Sequence, residues 1–197
     1  PLFRLWRQRF LRDAGALAFT NPGQGCHFLR GADDDYLRKA FSVTHLATIA
    51  ERRTERHMTP VLSELPPFLT RESGLHSGFM MAQVASAALA SELKTLAHPA
   101  SVHTTPPWAS REDHVSMSMG AALKAERAVD LTAHVIAIEI LCACQAIDLL
   151  APLTTSPRLQ QVHDIVRSRV PALDQDRPPS PDIEQIAALI TSGSLVI

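Results

Sequence analysis

From Val115 onward, apolar and small side chains recur at alternating steps of four and three: Val115, Met119, Ala122, Glu126, Val129, Ala133, Ile136, Ile140, Ala143 and Ile147, with Glu126 the one charged member. That spacing keeps one side of a helix apolar and predicts a long helix with a seam of coiled-coil type. Past Ala133 nearly the whole circumference is apolar, more than a chain of this size covers alone, so burial between several chains is expected. The longest apolar run, Ala133 to Ala151, is interrupted by His134, Glu139, Gln145 and Asp148. Such a burden reads as a buried helix rather than a lipid-facing span. Upstream, the turn formers of Thr20 to Gly25 read as a loop, and Asp33 to Asp35 supply acidic first-turn residues for a helix running to about His57, with Pro60 marking its end. After Pro66 and Pro67, a second helix is predicted from about Ser77 to Ala97, with small residues Ala82, Ala85, Ser86, Ala88 and Ser91, stopped by His98-Pro99. Ser110, with Asp113 three residues on, reads as the N-cap of the long helix. Shorter helices are expected near Ser156 to Val170 and Pro181 to Ile190, and Gly193 is a terminator. No stretch alternates as a strand does. The class is all-α, a long-helix bundle, with residues 1–32 an irregular N-terminal segment and 33–197 one helical domain.

Composition narrows the class of partner. Of 197 residues, 46% are hydrophobic but only 5% aromatic, so the apolar mass lies in small and aliphatic side chains that let helices approach closely. A formal net charge of −1 removes any general electrostatic case for nucleic acid or an acidic membrane. Cys26, Cys142 and Cys144 are odd in number, and the last two point to different faces of a helix, so reduced thiols are expected in a cytoplasmic protein. No complementary cysteine or histidine pair completes a tetrahedral metal set. The opening stretch is basic and amphipathic without a long apolar core, so no secretory signal is expected.

Three segments go beyond helical patterning: Leu65-Pro-Pro-Phe-Leu-Thr-Arg-Glu-Ser-Gly-Leu-His-Ser-Gly-Phe-Met-Met-Ala-Gln83, Glu112-Asp-His-Val-Ser-Met117 and Ala137-Ile-Glu-Ile-Leu-Cys-Ala-Cys-Gln-Ala-Ile-Asp148. Together with Ser91-Glu92, Ala97 to Ser101, Thr155-Ser-Pro, Pro181 to Glu184 and Gly193 to Leu195, they resemble the C-terminal portion of the histidine ammonia-lyase and aromatic amino acid lyase family over roughly residues 41 to 197. The resemblance implies the helical ammonia-lyase architecture of the fumarase and aspartase type. It also implies a methylidene-imidazolone electrophile, made in that family when an Ala-Ser-Gly tripeptide cyclises and loses water. That tripeptide is missing here: Ser73-Gly74, Ser77-Gly78 and Ser192-Gly193 follow Glu72, His76 and Thr191. The family's tyrosine base and carboxylate-binding arginine lie upstream of the matching region, and the only tyrosine, Tyr36, has no matching motif. The resemblance therefore implies the small subunit of a split, hetero-oligomeric lyase acting on histidine or a related small amino acid. A large partner chain would bring the Ala-Ser-Gly electrophile, the tyrosine base and the arginine clamp. A subunit of an amino acid 2,3-aminomutase, a non-catalytic lyase-like structural or regulatory chain, and a fragment of a longer enzyme are the other readings.

Among individual residues, Glu112 matches the family's active-site glutamate, a carboxylate able to accept a proton or hold a cation near the substrate. Read from helix physics alone, a first-turn Glu only favours the helix dipole, worth about 0.3–1 kcal/mol. The residues before it, Ser110 and Arg111, replace the family's Asn-Gln; Arg111 either pairs with Glu112 or holds an acidic substrate group. His27 falls at the family's phenylalanine in its Gly-Asn-Phe-His segment, and a one-residue gap would put Phe28 there instead, so both are substrate-binding candidates. His76 stands where the family usually has Asn. Asp113 and His114 read as braces of the helix start, Glu139 and Gln145 as hydrogen-bonding groups between helices, and Met80, Met81, Met117 and Met119 as packing residues.

Overall fold

The computed structural model describes the backbone of residues 25–105 and 117–195, and side chains from residue 39 onward within those ranges. Among the described residues six α-helices follow one another: α1 (Gly25–Met58), α2 (Pro60–Ser63), α3 (Met80–Leu96), α4 (Ser118–Leu149), α5 (Pro157–Arg167) and α6 (Ser180–Ser192). Short 3-10 turns at Pro67–Leu69 and Ala100–His103 lie between them. No strand occurs among the described residues; one isolated bridge joins Ser73 and His76. The architecture is the all-α helical bundle that the apolar spacing predicts.

The long helices α1 and α4 form the spine, with α3 packed on both and α6 packed on α4. Close approach is possible because the α1–α4 contact is built from small residues: Ala47, Ala50 and Ala128 are buried there with Leu93, Leu131 and Val135. A second, larger core gathers Met58, Leu65, Leu69, Phe79, Ile138, Leu141, Val166, Val170 and Ile186 around the C-terminal half of α4. Threonines in the spine satisfy their hydroxyls on the preceding turn, as Thr54 Oγ1 does on the Ala50 carbonyl (3.0 Å) and Thr132 Oγ1 on Ala128 (2.7 Å). Burial without a lost hydrogen bond follows.

Two helix starts differ from the sequence expectation. Helix α1 begins at Gly25, so residues 25–32 belong to the helix and not to an irregular segment. The spacing that runs through Ala40, Val43, Ala47, Ala50 and Thr54 continues back in the sequence through Tyr36, Ala32 and Leu29, and this outweighs the acidic run as a start signal. Helix α4 begins at Ser118, with Met117 at its N-cap and no side-chain cap. Its first turn therefore contains neither Ser110 nor Glu112.

The buried side of α4 also differs in register. Ala122, Val129 and Ala133 of the expected seam are buried, but Met119 is exposed and Glu126, Ile136, Ile140, Ala143 and Ile147 are only half-buried. The side taken into the core runs instead through Ala125, Ala128, Thr132, Val135, Ile138, Cys142 and Gln145. A helix apolar almost all round satisfies three-and-four spacing in more than one register, and the small residues admit the close neighbour. By length and composition α4 could cross a membrane, yet 61% of its most apolar window is buried within the chain, as befits a core helix.

That burial covers both faces on which Cys142 and Cys144 sit. Both are unpaired and buried, and burial pushes the Cys142 thiol strongly up and the Cys144 thiol up to about 11. Because the thiolate is the reactive form, neither should label with a thiol reagent at pH 8 in the native protein, while both should label in denaturant. Peptide mass mapping after timed alkylation checks this; rapid native labelling of Cys142 would contradict the packing.

Candidate active-site region

Glu112, Ser110 and Arg111, with Asp113 and His114, lie outside the described residues. His27 and Phe28 lie in the first turn of α1, and their side chains are outside the described set. What surrounds the Glu112 segment is defined at its flanks. Arg127 Nε meets Glu92 Oε1 at 3.2 Å, and Lys124 Nζ donates to the His98 carbonyl, so the end of α3 is tied to the first turns of α4. The segment leaves at Thr105 and returns at Met117, next to this junction in sequence.

Along the spine, a polar group joins three helices. Arg52 forks onto Glu51 through Nε (2.6 Å) and Nη2 (2.7 Å), and Gln83 Nε2 donates to Glu51 Oε1 (3.3 Å). The neighbouring Arg53 pairs with Glu139 of α4 at 2.8 Å. The Arg52 guanidinium holds the Glu51 carboxyl below the usual carboxylate range, against the opposing effect of burial. Burial dominates at Glu139 and pushes its carboxyl up, with Arg53 offsetting part of the rise. His57 is pushed down, first by burial and then by Arg53.

For Glu139 the sign follows directly. A raised folded-state pKa means the folded chain binds more protons than the unfolded chain between the two values. Its contribution to stability is present below the unfolded pKa and is lost as pH rises through the folded one. Glu139→Gln should therefore gain stability relative to the native chain as pH rises through that window, which paired denaturant titrations would measure. A difference that does not move with pH would contradict it.

The family-like segment 65–79 is held from two sides. Gln145, buried on α4, donates to the carbonyls of Leu173 (3.0 Å) and Leu69 (3.4 Å) and accepts from the Leu173 amide (3.0 Å). Asp176 accepts from the amides of Ser77 (2.7 Å) and Gly78 (2.9 Å), and those amides lower its carboxyl pKa. Within the segment Phe68 and Leu69 both have positive φ (53° and 56°), and the Phe79 amide closes onto the Phe68 carbonyl at 3.0 Å. A Cβ on Gly78 would lie 2.4 Å from that carbonyl oxygen, so the residue must be glycine. His76, half-buried, lies 3.8 Å from Glu72. At the far end of α4, Asp148 binds His163 Nε2 (2.7 Å) and Arg167 (2.7 Å) and fastens α5.

Glu139 thus makes the inter-helix pair that its place in an apolar run implies, whereas Gln145 bonds mainly to the backbone of the 3-10 turn at Leu69 and of Leu173 beyond α5. Arg53, Asp148 and Asp176 were missed. Asp148 carried the same signal as Glu139, a charge within an apolar helix, whereas Asp176 sits in a polar loop where nothing local distinguishes it. Met80, Met81 and Met119, which read as packing residues, are exposed, with no described element lying over them.

None of the three Ser-Gly pairs suits formation of the family's electrophile, which needs a glycine amide free to close on a preceding carbonyl. The Gly78 amide is bound to Asp176, and the Gly193 amide donates to the Ile190 carbonyl at a left-handed helix end (φ 77°). Ser73-Gly74 lies in an exposed turn after Glu72. The residues present do not fit the group.

The helical bundle, its inward polar groups and the segment 65–79 define a chain with the ammonia-lyase fold. A crystal structure of histidine ammonia-lyase from Trypanosoma cruzi matches with TM-score 0.80 and 44% identity, covering 83% of this chain and 32% of that one. A tyrosine aminomutase structure matches with TM-score 0.79 and 33% identity, covering 84% and 32%. The histidine ammonia-lyase of Anaeromyxobacter sp. (strain K) is 53% identical over 156 residues, or 79% of this chain and 31% of that protein. A family model, Aromatic amino acid lyase, matches residues 34–168. The chain belongs to the aromatic amino acid lyase family and spans about a third of the length of these relatives.

Proposed function

We propose that this chain is the small subunit of a split ammonia-lyase that eliminates ammonia from histidine or a related amino acid. A partner polypeptide supplies the methylidene-imidazolone electrophile from its own Ala-Ser-Gly, together with the tyrosine base and the arginine that holds the substrate carboxylate. The observation that carries this reading is Glu112-Asp-His-Val-Ser-Met117, kept inside the family match, in a sequence that has no Ala-Ser-Gly. Glu112 then accepts a proton from the substrate or holds its cationic group. Arg111 either neutralises Glu112 or binds an acidic group of the substrate, and His27 or Phe28 lines the pocket. Ser110 borders it. Helices already meet across chains in symmetric assemblies, so a division of one fold between two polypeptides needs no new contact chemistry.

Co-expression with an Ala-Ser-Gly-bearing lyase chain from the same source should give an unsaturated acid from the amino acid. Equal turnover by the partner alone would replace this reading with the non-catalytic one. The likeness to a tyrosine aminomutase structure, at 33% identity, favours an aminomutase as second reading, and a β-amino acid as main product would select it.

A further inference from the structure

The first part of α3 has no charged residue: Met80-Met-Ala-Gln-Val-Ala-Ser-Ala-Ala-Leu-Ala90. Gln83 is half-buried and donates to Glu51, and Ser86 is buried. Every exposed position of this stretch is apolar, namely Met80, Met81 (58% exposed), Val84 (50%) and Ala88. The same helix turns polar at once beyond it, where Ser91, Glu92, Lys94 and Thr95 are the exposed positions. Glu51 meets Gln83 and Thr44 Oγ1 donates to the Leu93 carbonyl, so α1 runs antiparallel beside α3. A surface helix normally keeps charge on its outer face, and a continuous apolar stripe there marks a contact.

We propose that this α3 face is the docking surface for a helix of the polypeptide that carries the missing part of the lyase. The inference rests on the split reading above. The occupant follows from length: the chain superposes on 32% of a histidine ammonia-lyase, and the remainder of such a fold must bury its own apolar faces against the part this chain provides. Beside Val84, Ala88 leaves room for a backbone at close helix-packing distance, so the fitting partner element is a helix rather than a loop. Methionines at the entrance adapt to its side chains.

The test places a photo-crosslinking amino acid at position 84, or at exposed Leu159 on α5 as control, in the full chain expressed in its source organism. Crosslinked peptides are identified by mass spectrometry, and the native mass of the purified complex is measured separately. Position 84 should link to a chain bearing Ala-Ser-Gly and position 159 should not. Val84→Glu should reduce co-purification of that chain at least ten-fold with helix content unchanged, which its exposure permits. An Ala-Ser-Gly chain that co-purifies but links from 159 and not 84 would overturn the docking surface and leave the split reading standing. A link from 84 to a second copy of this chain would overturn the proposal. No Ala-Ser-Gly chain in the native complex would overturn both.

Discussion

Replacing Glu112 by Ala in the assembled enzyme should lower kcat by roughly 10²- to 10⁴-fold, the range for a positioned acid–base group. That loss corresponds to about 2.7–5.4 kcal/mol of transition-state stabilisation. A purely structural role predicts something quite different. A first-turn acid on a helix contributes about 0.3–1 kcal/mol to stability and nothing to chemistry. Glu112→Gln keeps shape and one acceptor but cannot take a proton. It should fall nearly as far as Ala if proton transfer is the role, and recover much of the rate if hydrogen bonding suffices. A variant with full activity and unchanged pH profile would remove Glu112 from the mechanism.

Gly78→Ala should be strongly destabilising. The added Cβ meets the Phe68 carbonyl oxygen at 2.4 Å and the Thr70 side chain at 3.2 Å, at a backbone φ of +54°. Relief by movement is blocked, because that carbonyl accepts from the Phe79 amide, Leu69 is fully buried, and Asp176 holds the Gly78 amide. Left-handed strain alone costs about 1–2 kcal/mol for a residue with a Cβ, and the clash adds to it. A total of about 3 kcal/mol lowers Tm by roughly 6–12 °C in a chain of this size. Gly120→Ala is the control: the site is helical with nothing within 4 Å of the new Cβ, and a gain of roughly 0.4–1 kcal/mol is expected. Thermal unfolding of the two variants beside the native chain separates strain from a general effect of losing glycine. Equal behaviour of the two would contradict the packing around Phe68.

The helical class, the separate helices and the buried character of α4 were legible because spacing of small and apolar residues is a local property of the chain. The register of α4 was not. Its seam through Met119, Ile136, Ile140 and Ile147 satisfies the same spacing as the buried side through Ala125, Thr132, Val135 and Cys142, and only the neighbours choose between them. The start of α1 was misplaced because Asp33 to Asp35 imitate a first turn while the apolar spacing runs on past them. Glu139 and Gln145 could be read as bonded groups from their cost in an apolar run. Their partners Arg53 and Leu173 lie far away in sequence and needed the fold. The methionines Met80 and Met81 read as packing residues and are exposed, which is consistent with an interface that this chain alone does not complete. Glu112 owes its assignment to family resemblance, since helix physics alone gave it only a dipole role.

The most direct test of the central claim is native mass spectrometry of the complex purified from its own source, followed by intact-mass analysis of each chain. The split-lyase account predicts a hetero-oligomer in which a second, larger polypeptide carries an Ala-Ser-Gly that has lost water. A complex made only of this chain, or a partner with an unmodified or absent Ala-Ser-Gly, would contradict it.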